Sequence, residues 1–151
     1  MTFFTHEVAI AILYQGDQFL MQLRDNNPGI IYPGCWAFFG GHLDPGETPE
    51  IAIRRELLEE IGYEPDQVFP FNSYQEDSQV LRHVFHAPLT VGIEKLVLNE
   101  GWDLGLISIE DIRRGDRYSH QAGQIRPLGK PHQKILLEFI EQTEIGKNQT
   151  V

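Results

Sequence analysis

The segment that most constrains this chain runs from Gly40 to Tyr63, GGHLDPGETPEIAIRRELLEEIGY. Its second half carries its own helix boundaries. Thr48 suits an N-cap, Pro49 the first helical position, and Glu50 the positive end of the helix dipole. Ile51 stands where a capping box would place Glu or Gln, so that motif is absent. Gly62, with Pro65 beyond it, marks the stop. At about 100° per residue, Ile53, Leu57 and Ile61 form an apolar stripe, which Leu58 is expected to widen. Glu60 then lies about 40° to one side of Glu56 and Glu59 about 60° to the other. The predicted helix buries one side and projects three carboxylates beside it.

Like charges four residues apart repel by a few tenths of a kcal/mol. The bases at hand, Arg54 and Arg55, lie on the N-terminal side. Taken alone, the run RELLEE reads as a solvated helix face. The other reading is neutralisation by a hard divalent cation, which takes oxygen ligands. The first half of the segment favours the cation. Gly40-Gly41 is expected as a tight turn that lets a backbone carbonyl approach a metal. Asp44-Pro45-Gly46 reads as a turn returning the chain to the helix start. Glu47 then sits where Arg55 can meet it, as an ion pair locking loop to helix.

The flanking chain alternates strands and helices. Glu7 to Tyr14 and Gln18 to Arg24, parted by Gly16-Asp17, predict a hairpin. Asp25 to Gly34 is a loop and Cys35 to Phe39 a short buried strand. Strands are expected at Val68 to Tyr74, Val80 to Ala87, Gly92 to Leu98 and Leu104 to Ser108, with a short helix at Ile109 to Arg113. Tyr118 to Lys130 reads as an irregular basic loop. Pro131 to Thr143 reads as an amphipathic helix with Ile135, Leu136, Phe139 and Ile140 on one side. This order makes a mixed sheet between helical layers, in one domain over residues 1–151 with a frayed tail at about 146–151.

Bulk properties narrow the function. With 22 acidic against 12 basic residues the net charge is −10, which is poor for holding nucleic acid by phosphate neutralisation. A small phosphorylated substrate remains compatible, because metal ions supply positive charge locally. A lone cysteine, Cys35, cannot form an internal disulfide and fits a reducing cytoplasm. Val8 to Tyr14 is too short to span a bilayer, and the N-terminus lacks a basic start, so no membrane association is expected.

Gly41, Glu47, Arg55, Glu56, Leu57, Glu59, Glu60 and Gly62 stand at the spacing of the Nudix box, and the segment resembles the signature of the Nudix hydrolases. Tyr63 departs from the pattern, which favours an aliphatic residue there. The resemblance implies an α/β/α sandwich around a mixed β-sheet and hydrolysis of a nucleoside diphosphate linked to another group. It implies Mg²⁺ or Mn²⁺ held by Glu56, Glu59, Glu60 and the carbonyl of Gly40, with Glu59 also serving the chemistry. Glu47 and Arg55 would organise loop and helix. A further base outside the box is expected at Glu100, ahead of Glu76 and Asp77. Arg24, Arg126 and His120 are the expected substrate contacts.

Other candidates read as structure. His83 and His86, three apart on a strand, face opposite sides. Trp36 and Phe38 read as core before they read as a base-stacking platform. A proline about fifteen residues past the box, typical of ADP-ribose hydrolysing members, is absent, as is the tyrosine marking many dinucleoside polyphosphate hydrolases. The related prenyl diphosphate isomerases need a cysteine in a setting unlike that of Cys35. A non-catalytic nucleotide sensor is the alternative function, and the sequence leaves open a homodimer.

Overall fold

The computed structural model describes residues 6–75 and 79–143. The expected tail at 146–151 and the candidates Glu76 and Asp77 lie outside them. The chain is organised in two compact units: Met1–Leu13 with Phe39–Asn99, and Tyr14–Phe38 with Glu100–Val151.

The first unit carries the helix predicted above. Strand β1, His6–Gln15, enters it up to Leu13 and pairs antiparallel with β4, Phe39–His42, in the register Ala9 to Gly41 and Ile10 to Gly40. Strand β6, Val80–Pro88, lies beside β1 and pairs antiparallel with β5, Phe69–Tyr74. Helix α1, Pro49–Ile61, packs on β4 and β6. Thr48 Oγ1 accepts the Ile51 N–H at 3.2 Å, and Gly62 closes the helix in the left-handed conformation (φ 66°), as the sequence predicts. Ile53, Leu57 and Ile61 are fully buried, each contributing about 1.5–3 kcal/mol of apolar burial. Leu58 does not widen the stripe. It is 47% exposed, and the buried side runs instead through Ala52 toward Glu60.

Gly92 to Leu98 is not a strand. It forms a 3₁₀ turn at Ile93–Lys95 and then an extended strap whose Val97 and Asn99 amides bond to carbonyls at the end of α1. GIEKLVL reads as a strand in the sequence, but the partner of this segment is a helix terminus.

In the second unit β2, Gln18–Leu23, follows the Gly16-Asp17 turn and pairs antiparallel with β3, Trp36–Ala37, and β7, Asp103–Ile107. The single strand expected over Cys35 to Phe39 is therefore two. It breaks at Phe38, with β3 paired to β2 and β4 paired to β1. The expected irregular loop at Tyr118 to Lys130 is largely a hairpin of β8, Asp116–Ser119, and β9, Gln124–Pro127. Its turn lacks the Asn-Gly signature that marks hairpins in sequence.

Helix α2, Ile109–Arg114, packs against α3, Lys130–Gln142, which buries Ile135, Leu136, Phe139 and Ile140. Trp36 is fully buried and its indole N–H donates to the Arg117 carbonyl at 3.1 Å. The Arg117 guanidinium lies 5.1 Å over the same ring. Trp36 and Phe38 are thus core residues. Among the described residues no helix is long and apolar enough to cross a membrane.

Candidate functional site

Gly40 and Gly41 are not a turn. They lie within β4, where Gly40 has φ +144° and a Cβ would overlap the Ala9 carbonyl oxygen. Gly41 is small for a second reason: a Cβ there would come 2.6 Å from Glu56 Oε1. The two glycines let β4 lie close to β1 and give the Glu56 carboxylate a seat on the strand. One helical turn on, Glu60 is 5% exposed, and its Oε2 accepts the Gly40 N–H at 3.3 Å. Glu59 projects outward, with 60% of its side chain exposed. The spacing read from the sequence therefore brings Gly40, Glu56, Glu59 and Glu60 into one neighbourhood.

Arg55 organises this neighbourhood. Its Nε donates to Glu47 Oε2 at 2.7 Å and its Nη2 to Glu47 Oε1 at 2.9 Å, so the expected ion pair is present and bidentate. Nη1 reaches Glu56 Oε1 at 3.0 Å and Glu59 Oε2 at 3.3 Å, and Nη2 donates to the His42 carbonyl at 3.1 Å. One planar guanidinium thus fastens β4, the turn and two box acids, which a lysine's point charge would not do. Asp44, expected only as a turn residue, donates its N–H to Glu47 Oε1 at 2.7 Å and sets its carboxylate 3.4 Å from Arg55. Among the described residues no three acidic, histidine or cysteine side chains are gathered closely enough to enclose an ion as they stand. Arg55 fills the space between Glu56 and Glu59 in this arrangement.

The Arg55 bonds, with the Asp44 N–H, lower the Glu47 pKa from 4.5 to about 2. The same bonds raise that of Arg55 further above its ordinary value. Because the folded value of Glu47 is depressed, the pair's contribution to stability is complete above about pH 4.5 and fades as pH falls toward 2. Melting curves of the wild type and Glu47→Gln are therefore expected to differ by a constant amount near neutrality and to converge below pH 4.5. A gap that persists unchanged into acid would show that the pair does not carry it.

The expected substrate contacts divide. Arg24 Nε donates to the Ile31 carbonyl at 2.7 Å and Arg126 Nε to the Gly34 carbonyl at 2.9 Å. Both thus brace the Asp25 to Gly34 loop, in which Tyr32 adopts a positive φ of 54°. They also flank Cys35, whose thiol is nonetheless pushed up in pKa, chiefly by burial. His120 sets its ring edge-on to Tyr118 at 5.1 Å. Glu100 is exposed and follows directly on Asn99, whose N–H donates to the Glu60 carbonyl at 2.9 Å. His83 pairs with Glu7 at 3.0 Å and His86 lies against the Phe69 ring, so the two histidines do not meet. Asn99 was missed by the sequence reading; its only signal was an amide side chain between a leucine and an acid.

A family model described as NUDIX domain matches residues 4–127. The nucleoside triphosphatase NudI of Enterobacter sp. (strain 638) is 56% identical over 32 residues, 21% of this chain and 23% of that protein. The matched stretch thus spans less than a quarter of that relative. Among solved structures, MutT from Aliivibrio salmonicida and Vibrio cholerae is similar with a TM-score of 0.70 at 21% identity, covering 91% of this chain and 98% of that one. The NUDIX domain of Shewanella oneidensis NrtR, solved with ADP ribose, is similar with a TM-score of 0.67 at 16% identity, covering 90% and 86%. At these identities the two likenesses concern the fold, an α/β architecture with a mixed sheet.

Proposed function

The chain belongs to the Nudix hydrolase family, and from that premise we propose that it is a metal-dependent hydrolase of a nucleoside diphosphate derivative, cleaving the diphosphate linkage by water attack at phosphorus. The observation that carries this reading is the convergence of Glu56 and Glu60 on the Gly40-Gly41 strand beside Glu59. The donors are hard oxygens, which suit Mg²⁺ or Mn²⁺. The space a Cβ at Gly41 would fill is taken by the Glu56 carboxylate, so the residues fit an ion of this kind. Glu56, Glu59, Glu60 and the Gly40 carbonyl would hold it, with Arg55 yielding Glu59, whose exposed side chain is free to turn. A bound divalent ion neutralises phosphate charge and lowers the pKa of a coordinated water.

The chain's own residues do the rest. Glu59, or in its place Glu100, is the group proposed to position the attacking water and take its proton. The oxygen–phosphorus bond forms as the bridging phosphorus–oxygen bond breaks, and the phosphate-bearing group leaves. Glu47 and Arg55 keep β4 and α1 in register through this. Arg24 and Arg126 spend Nε on loop carbonyls and Arg126 also donates Nη1 to Gln124 Oε1 at 3.3 Å, so the outer nitrogens of Arg24, Nη2 of Arg126 and His120 are the groups proposed for substrate. Nucleoside triphosphates head the substrate classes, because the NudI relative bears the name nucleoside triphosphatase; nucleotide sugars follow.

The test is a panel of nucleoside triphosphates, nucleotide sugars and dinucleotides incubated with Mg²⁺ or Mn²⁺. Turnover of at least one class, abolished by EDTA, is expected. Tight nucleotide binding without product would instead indicate a sensor, the role for which retention of every box acid gives no reason.

A further inference from the structure

We infer that Asn99 is a positioning residue for the acids of α1, acting through the backbone of Glu59 and Glu60; this deepens the hydrolase reading and rests on it. The final turn of a helix leaves its last four carbonyls without intrahelical partners. In α1 each has a donor. The Leu58 carbonyl takes the Gly62 N–H at 3.0 Å, and the Leu57 carbonyl takes the Tyr63 N–H at 3.3 Å. The carbonyls beyond Leu58 are served from the strap: Glu59 by Asn99 Nδ2 at 2.8 Å, Glu60 by the Asn99 N–H at 2.9 Å, and Ile61 by the Val97 N–H at 3.1 Å. Asn99 therefore holds, with side chain and main chain, the two residues that carry the last two acids of the box.

The choice of donor fits the chemistry. A helix C-terminus carries about half a negative charge, which disfavours acids and favours lysine or arginine. The last turn of α1 has no basic residue. A lysine there would satisfy the carbonyls and also neutralise Glu59 or Glu60. A neutral amide satisfies the carbonyls and leaves both carboxylates with their charge for a divalent ion. Glu60 is buried, so its carboxylate moves only as the turn moves. Loosening that turn changes the ligand geometry before it changes the fold.

The experiment compares wild type with Asn99→Ala and with Asn99→Leu, which keeps side-chain volume and removes the donor without adding charge. Mn²⁺ binding is followed by paramagnetic resonance in the absence of substrate. The Mg²⁺ dependence of kcat and the KM at saturating Mg²⁺ are measured alongside, at a temperature where circular dichroism shows each variant folded. Mn²⁺ affinity is expected to fall about 10- to 100-fold, as for other groups that orient metal ligands. The Mg²⁺ activation midpoint should rise in step while the substrate KM stays near wild type. Variants that melt earlier but bind Mn²⁺ like wild type would reduce Asn99 to a structural strap and overturn the inference alone. A wild type that neither binds Mn²⁺ nor hydrolyses any substrate of the panel would overturn the hydrolase reading, and this inference with it.

Discussion

Glu59→Gln and Glu60→Gln are each expected to lower kcat by about 100-fold or more, the scale on which a positioned acid–base group acts, while leaving the fold intact. The substitutions keep shape and remove charge. At Glu59 most of the side chain is exposed, so the change touches little besides the contact with Arg55. At Glu60 the amide oxygen of Gln can still accept the Gly40 N–H, which preserves the link between α1 and β4. A loss of activity with an unchanged melting temperature would therefore report on charge at the site. Glu100→Gln separates the two candidate bases. If Glu100 takes the proton from water, its variant loses kcat but keeps Mn²⁺ affinity, whereas the helix variants lose both. Wild-type rates in Glu59→Gln and Glu60→Gln would sink the metal assignment.

What the sequence disclosed about this site was whatever is set locally. The cap at Thr48, the stop at Gly62, the face shared by the three acids and the Glu47–Arg55 pair all depend on spacing within one helix and its preceding turn. Features that depend on a distant partner are not legible in it. Gly40-Gly41 looked like a turn because glycine pairs usually mark one; their purpose is close approach to β1, which only the β1–β4 register reveals. GIEKLVL has the composition of a strand, yet the amide of Val97 within it and that of Asn99 just after it close a helix end thirty-odd positions earlier in the chain. Leu58 fell within reach of the apolar stripe, but its side is left open and the polar Glu60 is buried instead. That inversion is itself informative. Burying a carboxylate while exposing a leucine runs against the usual preference, and it is the kind of local conflict expected where function sets the residue.

Three glycines separate architecture from chemistry, and Gly40→Ala is expected to be the most damaging substitution of all. At φ +144° a side chain is strained in any space, costing about 1–3 kcal/mol. The added Cβ would also overlap the Ala9 carbonyl oxygen and lie 2.8 Å from the Ile10 Cα. These are backbone atoms, so no rotamer change relieves the clash, and overpacking adds about 1–3 kcal/mol. The sum, about 2–6 kcal/mol, is a large part of the 5–15 kcal/mol that holds a typical domain together. Gly46→Ala is the control: φ is +82°, but nothing lies within 4 Å, so only the conformational cost of about 1–2 kcal/mol remains. Gly41→Ala behaves differently again, because the atom it meets is the movable end of Glu56. That carboxylate can swing away, so stability should drop little while metal-dependent activity falls sharply. Urea unfolding of the three variants should therefore rank Gly40 well below Gly46 and Gly41 in tolerance, and activity should single out Gly41 among the variants that still fold. Equal unfolding midpoints for Gly40→Ala and Gly46→Ala would show that close approach of β4 to β1 is not what requires glycine at position 40.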